Sequence, residues 1–152
     1  MQHLLSEWQS DPDLAERVVH VESVPARGPI FEDPDPPFPT ELATALSERG
    51  IGRLYRHQAQ MVKRARSGTH AVVVAGTASG KSLCYQIPIA EAALADRSAT
   101  ALLLFPTQAL AQDQFRSLHD LGLRNLTPAI YDGDTDRETR VWVRRNANAV
   151  LT

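Results

Sequence analysis

The chain has 152 residues and a mass of 16.7 kDa, 43% hydrophobic and 22% charged, with one cysteine and a formal net charge of −2. Ordinary apolar content with a lone Cys84 excludes a disordered tail, a collagen-like repeat and a disulfide scaffold, and predicts one globular unit. The near-neutral total hides a split: residues 1–48 carry two bases against ten acids, and residues 49–152 carry fourteen bases against eight acids.

In chain order, the amino terminus lacks a basic region followed by an apolar core, so it does not read as a secretory signal. Leu4, Leu5 and Trp8 suit one amphipathic helical turn, and Val18, Val19, Val21 and Val24 suit a short strand. From Pro25 to Pro39 the density of proline removes amide donors and fixes φ, which predicts an extended linker. Thr40 is placed to cap a helix with Leu42, Ala45 and Leu46 on one face, stopped by Gly50. A second helix is expected from Arg56 to Arg66, ended by Gly68.

The run His70 to Ala75 is apolar on both faces and β-branched at its centre, which predicts a buried parallel strand. A helix is expected to begin near Gly80 and to be interrupted at Pro88. A second strand is expected at Ala101 to Phe105, then a helix capped by Thr107 and ended near Gly122. Pro128 to Tyr131 reads as a third strand, and Thr135 to Glu138 as a capping box opening another helix. A fourth strand begins at Ala149. Strands alternating with helices predict an α/β fold with a parallel sheet. The longest apolar runs are far shorter than the about 20 residues of a membrane span, and the lone cysteine fits a reduced compartment, so a cytoplasmic location is expected. Cys84 is expected to serve packing.

The sharpest chemical signal is Ala75-Gly76-Thr77-Ala78-Ser79-Gly80-Lys81-Ser82, between an expected strand and an expected helix. Small residues let several backbone amides converge on a triphosphate at the positive end of a helix. Lys81 would neutralise the β and γ phosphates, and the Ser82 hydroxyl would be a magnesium ligand. The alternative is a small-residue turn with an incidental Gly-Lys-Ser.

The segment resembles the first motif of the superfamily 2 helicases, in which alanine is common at the position of Ala75. Leu54-Tyr55-Arg56-His57-Gln58 resembles their adenine-sensing glutamine motif, and the carboxamide of Gln58 has the donor and acceptor to pair with the N6 and N7 edge of adenine. Tyr55 or Phe38 would stack on the base, the plain alternative for Gln58 being a solvated helix face. Phe105-Pro106-Thr107-Gln108-Ala109-Leu110-Ala111-Gln112-Asp113-Gln114 resembles the family motif that grips the nucleic-acid backbone, although Thr107 also suits a plain helix cap. Gln108 stands where relatives often carry a base. Tyr131-Asp132-Gly133-Asp134-Thr135 resembles a loop of the same family, with Gly133 and Asp134 beside a sugar-phosphate chain, or an ordinary tight turn.

Together these motifs resemble the RecQ-like DNA-repair helicases of the MrfA type, within the DEAD/DEAH-box superfamily. That resemblance covers about Pro39 to Thr152 and implies ATP with Mg2+ on Thr77, Ala78, Ser79, Gly80, Lys81 and Ser82. It implies single-stranded DNA, or other nucleic acid, on Pro106, Thr107, Gln108, Gly133 and Asp134. Lys81 and Ser82 would serve hydrolysis, and the full-length relative would move 3′ to 5′ along DNA. The implied fold is a P-loop NTPase (RecA-like) parallel sheet flanked by helices, forming an incomplete first motor lobe at residues 40–152 after an entry segment at 1–39.

No hydrophobic strand followed by Asp-Glu is present, so the sequence reads as the amino-terminal part of a longer helicase, inactive as a hydrolase by itself. A small P-loop kinase using Arg137, Arg140, Arg144 and Arg145 as a lid, and an inactive nucleotide-binding remnant, are the rival readings.

Overall fold

The computed structural model describes residues 2–22, 25 and 28–152. Two short helices lead, α1 (Gln2–Ser10) and α2 (Pro12–Ala15), the second capped by the Asp11 carboxylate on the amide of Asp13. Residues 18–22 form no strand, contrary to the sequence expectation, and Val24 lies outside the described residues. Val19 is left almost fully exposed, so this valine run has neither a ladder nor a core to hold it extended.

The proline-rich stretch is extended but not a free linker. Within it β1 (Phe31–Glu32) pairs antiparallel with β2 (Leu54–Tyr55), with Phe31 opposite Tyr55. Prolines flank β1 without occupying it, which leaves its amides able to pair. Further along, the Arg66 guanidinium donates to the Pro36 carbonyl at 2.6 Å, lies over the Phe38 ring at 5.5 Å and forms a two-pronged ion pair with Glu91. One arginine thus fastens the proline segment to two helices.

Helix α3 (Thr40–Glu48) buries Leu42, Ala45 and Leu46 as its periodicity predicts, and Gly50 follows at φ +74°. Its cap is Pro39, not Thr40: the Pro39 carbonyl already accepts from Ala43, which puts Thr40 inside the first turn. Helix α4 (Arg56–Arg66) has the expected bounds, with Gly68 beyond it at φ +67°. Helix α5 (Leu83–Ala95) starts three residues after Gly80 and runs through Pro88 without a break. Burial of Ile87, Ala90 and Ala93 on either side of the proline outweighs the one backbone bond it removes.

The sheet has three parallel strands in the order β3-β5-β4: β3 (Ala101–Leu103), β4 (Pro128–Ile130) and β5 (Ala149–Leu151). Ala101 and Pro128 both align with Ala149, and Leu103 and Ile130 with Leu151. The strand latest in sequence is therefore the central one, with Ala149 and Leu151 fully buried. Helix α6 (Gln108–His119) connects β3 towards β4, and α7 (Arg137–Asn146) connects β4 to β5. The α/β class with a parallel sheet stands as read from the sequence.

Two expected features differ. His70 to Ala75 forms no strand, and Val72 and Val74 are 89% and 93% exposed. An apolar run becomes a buried strand only when neighbours satisfy its amides on both edges, and among the described residues none lies against it. The helix cap at α7 is Asp136, whose carboxylate accepts from Glu138 and Thr139, while Thr135 is spent on Asp132. The Thr139 hydroxyl, followed by those amides, holds the Asp136 carboxyl below its usual range.

The core gathers Leu42 and Leu46 of α3, Val62 of α4, Ile87 of α5, Leu118 of α6 and Leu151 of β5. Cys84 is buried here as expected, and desolvation pushes its thiol pKa up.

Candidate nucleotide and nucleic-acid site

The loop from Gly76 to Ser82 has the local chemistry of an anion cradle. Ala78 at φ +56° and Gly80 at φ +70° occupy the left-handed region on either side of Ser79, the alternation of backbone hand from which anion-binding nests are built. Apart from the turn at Thr77 and Ala78, no amide from 76 to 82 makes a well-formed bond to a protein acceptor among the described residues, and Leu83 is the first that does, to Gly80. A set of unspent amides ahead of a helix start attracts negative charge. The Ser82 hydroxyl makes no capping bond at the start of α5 and lies within reach of the Tyr85 phenol. Lys81 lies back over the loop, its amine donating to the carbonyls of Ala75 at 3.0 Å and of Gly76, and approaching Ser79 Oγ at 3.4 Å. Ser79 in turn donates to the Gly76 carbonyl at 2.8 Å, and Thr77 stands exposed at the loop tip.

Gln58 is not a solvated side chain. It is 2% exposed, its Oε1 accepts from the Tyr55 amide at 2.8 Å and its Nε2 donates to the Gly80 carbonyl at 2.9 Å. The fit leaves no room for a side chain at Gly80, where a Cβ would lie 2.5 Å from Gln58 Nε2. His57 makes a parallel contact, with Nε2 at 3.0 Å from the Ser79 carbonyl. The first turn of α4 thus holds the loop at two consecutive carbonyls. Tyr55 stacks on Phe31 at 5.2 Å and on His57 at 5.9 Å, and the Arg53 guanidinium covers Phe31 at 5.3 Å. Phe38 is packed against the core beneath Arg66.

The second group lies past the carboxyl ends of β3 and β4. Pro106, Thr107, Gln108, Gly133 and Asp134 are all exposed, and Gln108 Nε2 donates to Asp134 at 3.0 Å, joining the two loops. Thr107 caps α6, its hydroxyl oxygen accepting from Leu110 at 3.3 Å. Arg140 braces the second loop by donating to the carbonyls of Thr135, Asp132 and Gly133, and lies over Tyr131 at 5.2 Å. Arg144 donates to the Tyr131 hydroxyl at 2.7 Å, which lowers the phenol's pKa. Arg140 and Arg144 are therefore occupied with the loop after β4.

Sequence reasoning missed the connection between the two groups. Gln86, 1% exposed, donates from Nε2 to Gln114 and to Ser117 at 3.0 Å each, and Arg49 donates to Ser117 at 3.1 Å. The signal available was one carboxamide inside the otherwise apolar turn Cys84 to Ile89. Replacing Gln86 by Ala removes its bonds to Gln114 and Ser117, which keep only Tyr85 and Arg49 as partners, and should cost about 2 kcal/mol of unfolding free energy in urea. A loss below about 0.5 kcal/mol would mean that water replaces the network freely.

Among the described residues, no cluster of three or more His, Cys, Asp or Glu is disposed to hold a metal, and no helix is long and apolar enough to cross a membrane. Residues 55–152 match the family model described as DEAD/DEAH box helicase. The chain is 37% identical over 160 residues to the ATP-dependent helicase hrq1 of Schizosaccharomyces pombe, covering 100% of this chain and 15% of that protein. It is 36% identical over 152 residues to the uncharacterized ATP-dependent helicase YprA of Bacillus subtilis, covering 97% of this chain and 20% of that protein. The crystal structure of the DUF1998 helicase MrfA bound to DNA and AMPPNP superposes with a TM-score of 0.89 at 33% identity, over 100% of this chain and 21% of that one. The chain thus spans a fifth or less of the length of these curated relatives.

Proposed function

The chain belongs to the DEAD/DEAH box helicase family, and on that premise we propose that it supplies the nucleotide-binding and single-strand-binding surfaces of the first motor lobe of an ATP-dependent DNA helicase acting in repair. The observation that carries this reading is the loop 76–82, with its unspent amides, Lys81 and the uncapped Ser82 hydroxyl at the start of α5. Residues 40–152 act as the partial lobe and residues 1–39 as an entry segment docked on it through β1 and Arg66.

ATP is the nucleotide. Its phosphates take the amides of Thr77, Ala78, Ser79 and Gly80, and Lys81 turns from the Ala75 and Gly76 carbonyls to the β and γ oxygens. Magnesium, when bound, would neutralise phosphate charge, and Ser82 is the residue here suited to hold it. Gln58 reads adenine only by exchanging the Tyr55 amide and the Gly80 carbonyl for the base edge, so base recognition and loop shape are linked. Tyr55, carried on the Phe31 stack, lies beside that exchange. Single-stranded DNA crosses Pro106, Thr107 and Gln108 and the Gly133–Asp134 turn, whose exposed edges Arg140 keeps in shape.

Equilibrium titration with a fluorescent ATP analogue plus magnesium, and separately with a labelled single strand, tests the reading. Both should bind. Binding of ATP without the strand would favour a small P-loop kinase, and binding of neither would favour an inactive remnant. The engagement of Arg140 and Arg144 around Tyr131 already weighs against their use as a kinase lid.

A further inference from the structure

At the opposite end of the parallel sheet from the motif loops, Thr100, Thr127 and Asn148 immediately precede β3, β4 and β5 and form the floor of a cavity of about 340 Å³. Arg97, Arg124, Arg144 and Arg145 line it, and among the described residues no acidic side chain does. The floor is rigid: Asn148 Oδ1 accepts from the Thr127 amide at 2.8 Å, and its Nδ2 donates to the Asn125 carbonyl at 2.6 Å. Arg97 is set on that frame by donating from Nε to Asn125 Oδ1 at 3.1 Å, which leaves the outer prongs of its guanidinium unspent.

The four arginines are not equivalent. Arg124 is paired with Glu41 at 3.2 Å and Arg144 is turned to Tyr131, whereas Arg97 and Arg145 have no carboxylate partner among the described residues. The nearby Asp96 carboxylate is taken up by the Ser98 amide and hydroxyl. Arg144 and Arg145 stand in the last turn of α7, where the helix dipole favours a cation. That accounts for two of the guanidiniums, and Glu41 for Arg124, but nothing among the described residues compensates the charge of Arg97, which arrives from another connection. Like charges brought together by separate elements repel unless an anion lies between them.

Arg145 and Asn146 also border a second, apolar groove along α7, which contains Val141 and Trp142 together with Arg137 and Glu138. Trp142 is 49% exposed, and Asn146 fixes the helix end by donating to the Trp142 carbonyl at 2.7 Å. A guanidinium basin running into an exposed indole combines the two contacts that a single strand makes without regard to sequence: phosphate to cation and base to ring face. We propose that this end of the sheet is a second single-stranded nucleic-acid contact, with Arg97 and Arg145 holding backbone phosphates and Trp142 stacking a base. It lies apart from the Thr107 and Gly133 loops at the other end of the strands.

The test is fluorescence anisotropy of a labelled oligothymidine against this chain across a salt series, for wild type, Arg97→Gln/Arg145→Gln and Trp142→Ala, each checked for an unchanged melting curve. Every phosphate released should remove about 0.7 from the slope of log K on log salt, so the double variant should flatten it by about 1.4. Trp142→Ala should weaken binding at least about fivefold with the slope unchanged. The same changes made on a Thr107→Ala background should have the same size. An unchanged slope in the arginine double variant overturns the site. Wild-type binding by Trp142→Ala, or equal displacement by tripolyphosphate at matched phosphate concentration, overturns its assignment to a nucleic acid. If Thr107→Ala alone has no effect while the arginine variant does, the motif reading fails and this one stands.

Discussion

Replacing Lys81 by Ala should weaken binding of a fluorescent ATP analogue about 100-fold, a loss of about 3 kcal/mol, while leaving the melting temperature within a degree or two. The two halves of that expectation have separate causes. In the structure the Lys81 amine bonds only to carbonyls and a hydroxyl of its own loop, with no carboxylate partner among the described residues, so its removal leaves no buried charge behind. Against a triphosphate, the same ammonium is the one side-chain cation of the segment 75–82, and nothing in the loop can replace it. Analogue binding within threefold of wild type would place the nucleotide elsewhere, and a collapse of the melting temperature would make Lys81 a structural residue.

Gly80→Ala should act on stability first, lowering the unfolding free energy by about 2 kcal/mol. A non-glycine residue at φ +70° costs about 1 kcal/mol, and the added Cβ would drive Gln58 Nε2 off the Gly80 carbonyl for about another. Because Gln58 is buried, it cannot escape by turning to solvent. A double-mutant cycle separates the terms: on a Gln58→Ala background the penalty of Gly80→Ala should fall by about half, leaving the backbone part. Strict additivity of the two substitutions in urea unfolding would show that the carboxamide does not sense this position, and the tie between α4 and the loop would be withdrawn.

The site was legible where chemistry is local and hidden where it depends on distant partners. Lys81 and Ser82 stand out as candidates from one octapeptide, and α4 ends where periodicity and Gly68 place it, whereas the left-handed backbone at Ala78 is not what an alanine announces. Gln58 was legible as a residue but not as a tie, because its acceptor at Gly80 is 22 positions away and glutamine is by default a surface residue. Gln86 was invisible for the same reason, with partners on α6 that no pattern in α5 announces. His70 to Ala75 erred in the other direction: composition describes what a strand would bury, while the ladder depends on neighbours that composition cannot supply. Thr40 and Thr135 show the one-residue ambiguity of helix starts: Asp136 displaces Thr135 as the capping side chain, while α3 begins at Pro39 with no side-chain cap at all.

The position of β5 at the centre of the sheet sets an order of events during synthesis. Ala101 and Pro128 both find their partner only at Ala149, so β3 and β4 leave the ribosome without each other and without a ladder. At translation speeds of about 5–20 residues per second, β3 waits for several seconds with its amides unpaired. Helices α4 and α5, which contact each other directly, are both complete before β5 is made. Until β5 emerges the sheet has no centre, so the unpaired edges of β3 and β4 are the surfaces a holdase chaperone would have to protect.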